Sequence, residues 1–200
     1  MRRRTLDALL TTGGAIVAVV LLIAAGLLFW AGSFANGTVH DQLAQQKIVM
    51  PAGQAIADPL IKPYLEQYAG QPMTTGPQAK AYADHYILVH MNAASGGQTY
   101  QQVSAQAGAM AKDPAADPTK LAALNTLKQT LFQGDALRSM LLNAYAFGTL
   151  GAIAIWGAIA SGAGSLVMFF LAGLGWRHLR RVPESRDVRL GHATPLPAVA

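Results

Sequence analysis

The 200-residue chain has no cysteine, which removes disulfides, thiolate metal sites, iron–sulfur clusters and cysteine nucleophiles together. Charge is scarce as well. Asp, Glu, Lys and Arg make up 12% of the residues against 52% apolar, about half the roughly 25% charge of a soluble domain. That shortage argues against an ordinary soluble globule and equally against a disordered charged tail. Glutamate is almost absent: only Glu66 precedes Glu184, so paired-carboxylate chemistry would have to draw on scattered aspartates. Nor is there a phosphate-cradling glycine loop, a zincin helix or a serine nucleophile elbow.

What the chain does have is two long charge-free runs. Between Asp7 and Asp41 no residue is charged, and Ala8 to Gly32 is rich in Leu, Ile, Val and Ala. At 1.5 Å per residue about 20 residues cross a hydrocarbon core of roughly 30 Å. The first run is therefore long enough to span, with Trp30 as an interfacial aromatic at its far end. Ser33-Phe34-Ala35 resembles a leader cleavage site, but leader cores are usually about 7–15 residues, so a retained anchor is expected. The second run, Ser139 to Trp176, holds 38 uncharged residues, about 57 Å if wholly helical. Either one long helix projects beyond the bilayer or two short spans turn near Ser161-Gly162-Ala163-Gly164-Ser165.

Charge placement favours one helix. The net charge of +5 and the pI near 9.7 come from the two ends. Residues 1–32 carry three Arg against Asp7, net +2, and residues 141–200 carry five Arg against Glu184 and Asp187, net +3. Residues 33–140 carry seven basic and seven acidic side chains, net zero. Arg177, Arg180 and Arg181 abut the second run, where basic residues select the cytoplasmic side. Two spans put both arginine clusters there, and a hairpin would not. The patches fix topology and face anionic headgroups, while a neutral middle without a basic stripe excludes nucleic acid as a partner.

The expected fold class is thus an all-α membrane protein: two transmembrane helices flank a small, mostly helical extracytoplasmic domain, and the second helix is long and projects beyond the bilayer. The expected segments are a basic cytoplasmic N-terminus (1–7), transmembrane helix 1 (8–32) and the extracytoplasmic domain (33–140). A stalk with transmembrane helix 2 (141–176) and a basic cytoplasmic tail (177–200), loose from Arg189 onward, complete it. This describes a multi-pass plasma-membrane protein with both termini cytoplasmic.

Within the middle region, Thr38 to Gln46 reads as an extension of the first span, and Ile48-Val49-Met50 as extended chain stopped by Pro51. Five prolines between 51 and 77 permit only short helical pieces such as Pro63 to Ala69. Gln78 to Ala94 carries an apolar stripe, closed by Ser95-Gly96-Gly97 as a left-handed cap. Thr99-Tyr100-Gln101-Gln102 fits a capping box that opens a helix to about Ala111. Thr119 is expected to cap the next helix, which buries Leu121, Leu124, Leu127 and Leu131. Gly134-Asp135 reads as a stop and restart, leaving a last helix from Ala136 to about Arg180.

Histidine is the only side chain that hints at catalysis or metal. His40, His85 and His90, with Asp41 and Asp84 nearby, could be written as a zinc or iron site. Spacing weakens this, because His85 and His90 are about 140° apart around a helix and same-face ligands need a spacing of three or four. His90, on the apolar stripe, reads better as a satisfied core histidine. No catalytic or cofactor-binding residue and no cofactor is therefore assigned. Thirteen glutamines between 33 and 140 suit an uncharged, hydrogen-bonding surface. In the second span the pairs Gly148/Ala152, Gly157/Ser161 and Ala160/Gly164 allow close helix approach, and neither span carries an ionisable residue that would mark an ion path.

The segments DQLAQQKIVMP (41–51), AKAYADHYILVHM (79–91), SGGQTYQQVS (95–104) and TLFQGDALRSMLLNAYAF (130–147) resemble a family of two-span membrane proteins of actinomycete-type bacteria. The resemblance covers most of 36–180 and implies an anchor, a small helical external domain and a second anchor, without an activity. The label aromatic ring-opening dioxygenase is sometimes given to similar sequences, but no iron triad can be placed on these residues.

Three functions compete. The first is a non-enzymatic accessory or scaffold subunit of the cell envelope. It would meet the lipid bilayer and a membrane-protein partner, or a second copy, through its small-residue faces. The second is a receptor-like or ligand-binding external domain that signals through a partner, and the third is a metal-dependent enzyme using His40, His85 and His90.

Overall fold

The computed structural model describes residues 3–181; the tail expected to be loose from Arg189 lies outside them. The regular elements among the described residues are all helical, in the order α1 (Arg3–Gln45), α2 (Lys62–Leu65), α3 (Gly76–Tyr82), α4 (Leu88–Ser95), α5 (Tyr100–Met110) and α6 (Pro118–Leu179). Short 3-10 turns cover Gly53–Ile56 and Glu66–Tyr68, and a π-helical stretch, Ala83–Ile87, joins α3 to α4. Both α1 and α6 are long and apolar enough to cross a membrane. The second apolar run is one helix, uninterrupted through residues 161–165.

Two compact units divide the chain, Met1–Ala31 with Ala154–Ala200, and Gly32–Ile153. In the first, α1 and α6 pair antiparallel. A Cβ at Gly157 would meet Leu28, one at Gly162 would meet Ala25, one at Gly164 would meet Leu21, and Gly14 faces Met168. The Ser165 hydroxyl donates to the Ala18 carbonyl at 2.8 Å. The less exposed residues of α1 include 7, 11, 14, 18, 21, 25 and 28, and those of α6 include 154, 158, 161, 165, 168, 172, 175 and 179, flanked by 8, 15 and 24 on α1 and by 155, 157, 162 and 164 on α6. Alternating steps of four and three are the seam of a left-handed coiled coil. Here glycines of one helix face larger side chains of the other, as Gly157 faces Leu28 and Gly164 faces Leu21, which lets the backbones approach. Gly157, Ser161 and Gly164, read from sequence as faces for a partner, belong to this internal seam.

The outward residues of this unit are large and apolar: Leu10 is 75% exposed, Trp156 71% and Leu166 72%. The most apolar windows of α1 and α6 are 6% and 11% buried, the reverse of a helix forming the core of a soluble protein.

In the second unit, Ile48 to Met50 is extended, with Met50 N–H donating to Gln71 (2.8 Å) and Met73 N–H to Ile48 (2.8 Å) around an isolated antiparallel bridge, Val49 to Pro72. Val39, Leu43, Met50, Ile61, Leu65, Met73 and Leu141 form its main core, and Met91, Val103 and Leu131 a second cluster. The prolines limit α2 to one turn, as composition requires. Gly96 adopts φ 64° as the left-handed cap of α4, and Thr99 and Gln102 form the capping box of α5.

Three local expectations are corrected. The cap of α6 is Asp117, one residue before Pro118 and two before Thr119; its carboxylate accepts from Thr119 N–H at 2.8 Å. Gly134 does not end a helix. It lies inside α6, where a Cβ would fall 2.9 Å from Met91 Cγ, so glycine serves a close approach, and Asp135 pairs with Arg138 at 3.8 Å instead of capping. The helix expected over Gln78 to Ala94 is present but widened by the π stretch, which rotates the later turns and brings His90 out to an exposed position.

Candidate functional site

The functional candidates are built entirely within Gly32–Ile153. Thr75 opens α3 with a second capping box, in which Gln78 returns to the Thr75 N–H at 3.1 Å. Pro77 is tolerated in that first turn because its missing N–H would have no helical partner there. Gly76 then passes against α6 so closely that a Cβ would lie 3.0 Å from the Tyr145 Cα. Its α6 counterpart, Gly148, would carry a Cβ 3.7 Å from Gly76 Cα and 4.0 Å from a Val39 methyl. The α3 and α6 backbones thus meet at Gly76, with the Val39 side chain beside them.

On one side of Val39 this leaves a cleft of about 690 Å³, within the usual ligand-site range of roughly 300–1,000 Å³. Asn36, His40, Tyr68, Thr74 and Thr149 line it, with Gly76, Pro77 and Gly148 among its walls. On the other side lies a groove of about 400 Å³ between Phe34, Thr38 and Gln42 of α1 and Met140, Asn143 and Phe147 of α6. Phe34 is 65% exposed, Met140 66% and Phe147 60%.

Beside these, Asp84 anchors a charged clamp. Lys80 Nζ lies 2.5 Å from one carboxylate oxygen, and Arg138 donates to the other at 3.3 Å and to the Ala83 carbonyl at 3.1 Å. That carbonyl also accepts the Leu88 N–H of the π stretch. Lys80 lies 5.5 Å from the centre of the Tyr145 ring. Partial burial works against ionising Asp84, but the hydrogen bonds and charges of Lys80 and Arg138 outweigh it and hold the carboxyl below its ordinary range. Reciprocally, the hydrogen bond to Asp84 raises Lys80. Burial, and then Tyr86, raise the Tyr82 phenol.

The three histidines go to separate surroundings. His40 is exposed, with Nδ1 3.2 Å from its neighbour Asp41. His85 stacks on Tyr64 at 3.5 Å between ring centres, nearly parallel. His90 is satisfied as expected, its Nδ1 at 2.7 Å from the Tyr86 carbonyl, but it is exposed and not in the core. Among the described residues no three His, Asp or Glu side chains are grouped to hold a metal ion. Of the three, only His40 lines a cleft with polar groups drawn from other segments. Sequence reasoning missed Asn36, Tyr68, Thr74 and Thr149, which join only through tertiary packing. The one local signal was the Thr74-Thr75-Gly76-Pro77 turn.

No protein-family model matches the chain, and no curated protein and no solved structure matches it. Any functional reading rests on these residues and their geometry.

Proposed function

We propose that the chain is an integral membrane protein of the cell envelope, a non-enzymatic accessory or scaffold subunit. In this reading α1 and α6 each cross the bilayer once, residues 33–140 face outward and both arginine-bearing ends are cytoplasmic. The antiparallel register supports it, because Asp7 and His178, 4.0 Å apart, bring Arg4 and Arg177 to one end of the helix pair. Exposed Leu, Val, Ile, Phe and Trp side chains around that pair suit lipid, since water would penalise roughly 25 cal/mol for each Å² of apolar surface.

The observation that carries the accessory role is the groove between Phe34, Met140 and Phe147. Met140 and Phe147 are largely exposed there beside a region that has a core of its own. Exposed aromatics and Met around a groove are the composition of a protein interface, and a helix of a membrane partner fits between α1 and α6. A photoreactive phenylalanine at Phe147 tests this in living cells. One stoichiometric protein adduct, reduced by Met140→Asp, is expected; a chain that crosslinks to no protein and purifies as a lone monomer at native expression would count against the role.

A further inference from the structure

We propose that the cleft beside Val39 binds an uncharged, hydroxyl-rich group: a sugar, either free or as the headgroup of a lipid. The inference does not depend on the accessory role, which uses the opposite groove.

The lining decides the chemistry. Among the described residues no Asp, Glu, Lys or Arg borders the cleft, and its one ionisable lining imidazole, His40, is already paired with Asp41, so it offers no free counter-charge to an anion such as phosphate or to an ammonium. Its polar groups are an amide (Asn36), an imidazole (His40), a phenol (Tyr68) and threonine hydroxyls (Thr74, Thr75 and Thr149). Amide and hydroxyl groups both donate and accept, which matches a ligand whose own hydroxyls do the same. Their internal bonds leave capacity for such a ligand. The Thr149 hydroxyl donates to the Tyr145 carbonyl at 2.8 Å and keeps its lone pairs, and the bond of His40 to Asp41 engages Nδ1, leaving Nε2 to face a ligand. Asn36 lies against Gly151, where a Cβ would come within 2.7 Å of its amide oxygen, so the missing side chain keeps room for that amide. Gly76 and Gly148 likewise keep the wall thin where α3 meets α6. The half-buried Tyr68 adds an aromatic ring, whose electron-rich face suits the C–H groups of a sugar.

The test uses the full chain in neutral detergent. The probe is a fluorescent diacylglycerol bearing an uncharged disaccharide, and the comparison is phosphatidylglycerol with the same fluorophore. Binding of the glycosylated probe should exceed that of the anionic lipid at least about tenfold, and Asn36→Leu with Tyr68→Phe should remove about that factor by deleting two polar partners. Helicity and melting temperature of the variant are measured alongside, and Tyr68→Phe alone, which keeps the ring, should give an intermediate loss. Competition by millimolar maltose would sustain the site and make its ligand a free sugar; no competition alongside tight probe binding would make it a lipid headgroup. Equal binding of both lipids, or a folded double variant that binds like the wild type, would overturn the inference.

Discussion

At the residue scale the molecule is most exposed to failure where a polar group or a glycine has a single structural solution. Asp84 is one such place. Its carboxyl titrates below the unfolded value near 3.9, because Lys80 and Arg138 outweigh its burial. A depressed folded pKa means that the pairing stabilises fully above the unfolded value and is lost as pH falls through the folded one. The melting temperature of the purified protein should therefore drop on acidification below about pH 4, and Asp84→Asn should flatten that part of the profile. Arg138, 20% exposed, ties Asp84 to the Ala83 carbonyl; its removal leaves Asp84 only Lys80 and the carbonyl only the Leu88 N–H, so Arg138→Ala should cost about 1–2 kcal/mol in denaturant unfolding. Lys80 is 44% exposed and Lys80→Ala should cost much less. Gly76 is the second place. The atom that would meet its Cβ is backbone, Tyr145 Cα at 3.0 Å, which cannot rotate away. Gly76→Ala should destabilise by about 1–3 kcal/mol as overpacking, whereas Gly108→Ala, with nothing within 4 Å and a helical setting in α5, should be neutral or stabilising. Equal melting points for these two variants would refute the close approach of α3 to α6.

At the scale of elements, the antiparallel register of α1 and α6 makes a sharp prediction. A Cβ on Gly162 would stand 3.9 Å from Ala25 Cβ, inside the roughly 3.5–4.5 Å that a disulfide requires. In a chain with no cysteine of its own, Ala25→Cys with Gly162→Cys should crosslink on mild oxidation. After cutting at a protease site inserted near Asp113, the halves should stay joined until reduced. Ala25→Cys with Ala163→Cys, on an exposed position of α6, should not crosslink. The sequence foretold both apolar helices, the left-handed cap at Gly96 and the capping box at Thr99, because each is written in adjacent residues. It misled at Gly134, where the Met91 side chain takes the space a Cβ would occupy, from a residue 43 positions earlier. Small residues at spacing four were visible, but the alternating three-and-four seam of which they form part emerges only when α1 and α6 are laid side by side. The cleft was least legible, since Asn36, Tyr68, Thr74 and Thr149 come from four separate stretches and no local pattern joins them.

At the scale of the whole molecule, charge and apolar surface must agree on one placement in a bilayer. A positive end, a neutral middle and a second positive end lower the free energy only if both ends remain on the anionic, cytoplasmic side. The opposite arrangement would carry the charged clamp and every proline-rich turn into the cytoplasm and export both arginine clusters. The absence of cysteine makes the choice measurable without background. Lys112→Cys sits in an exposed turn after α5, and Arg180→Cys at the exposed end of α6. A membrane-impermeant maleimide added to intact cells should label the first and spare the second, and both should react once the membrane is permeabilised. Labelling only Arg180→Cys in intact cells would invert the topology. Labelling both would mean that α6 does not separate its two ends across the bilayer, and with that the outward placement proposed for the cleft and the groove would fall.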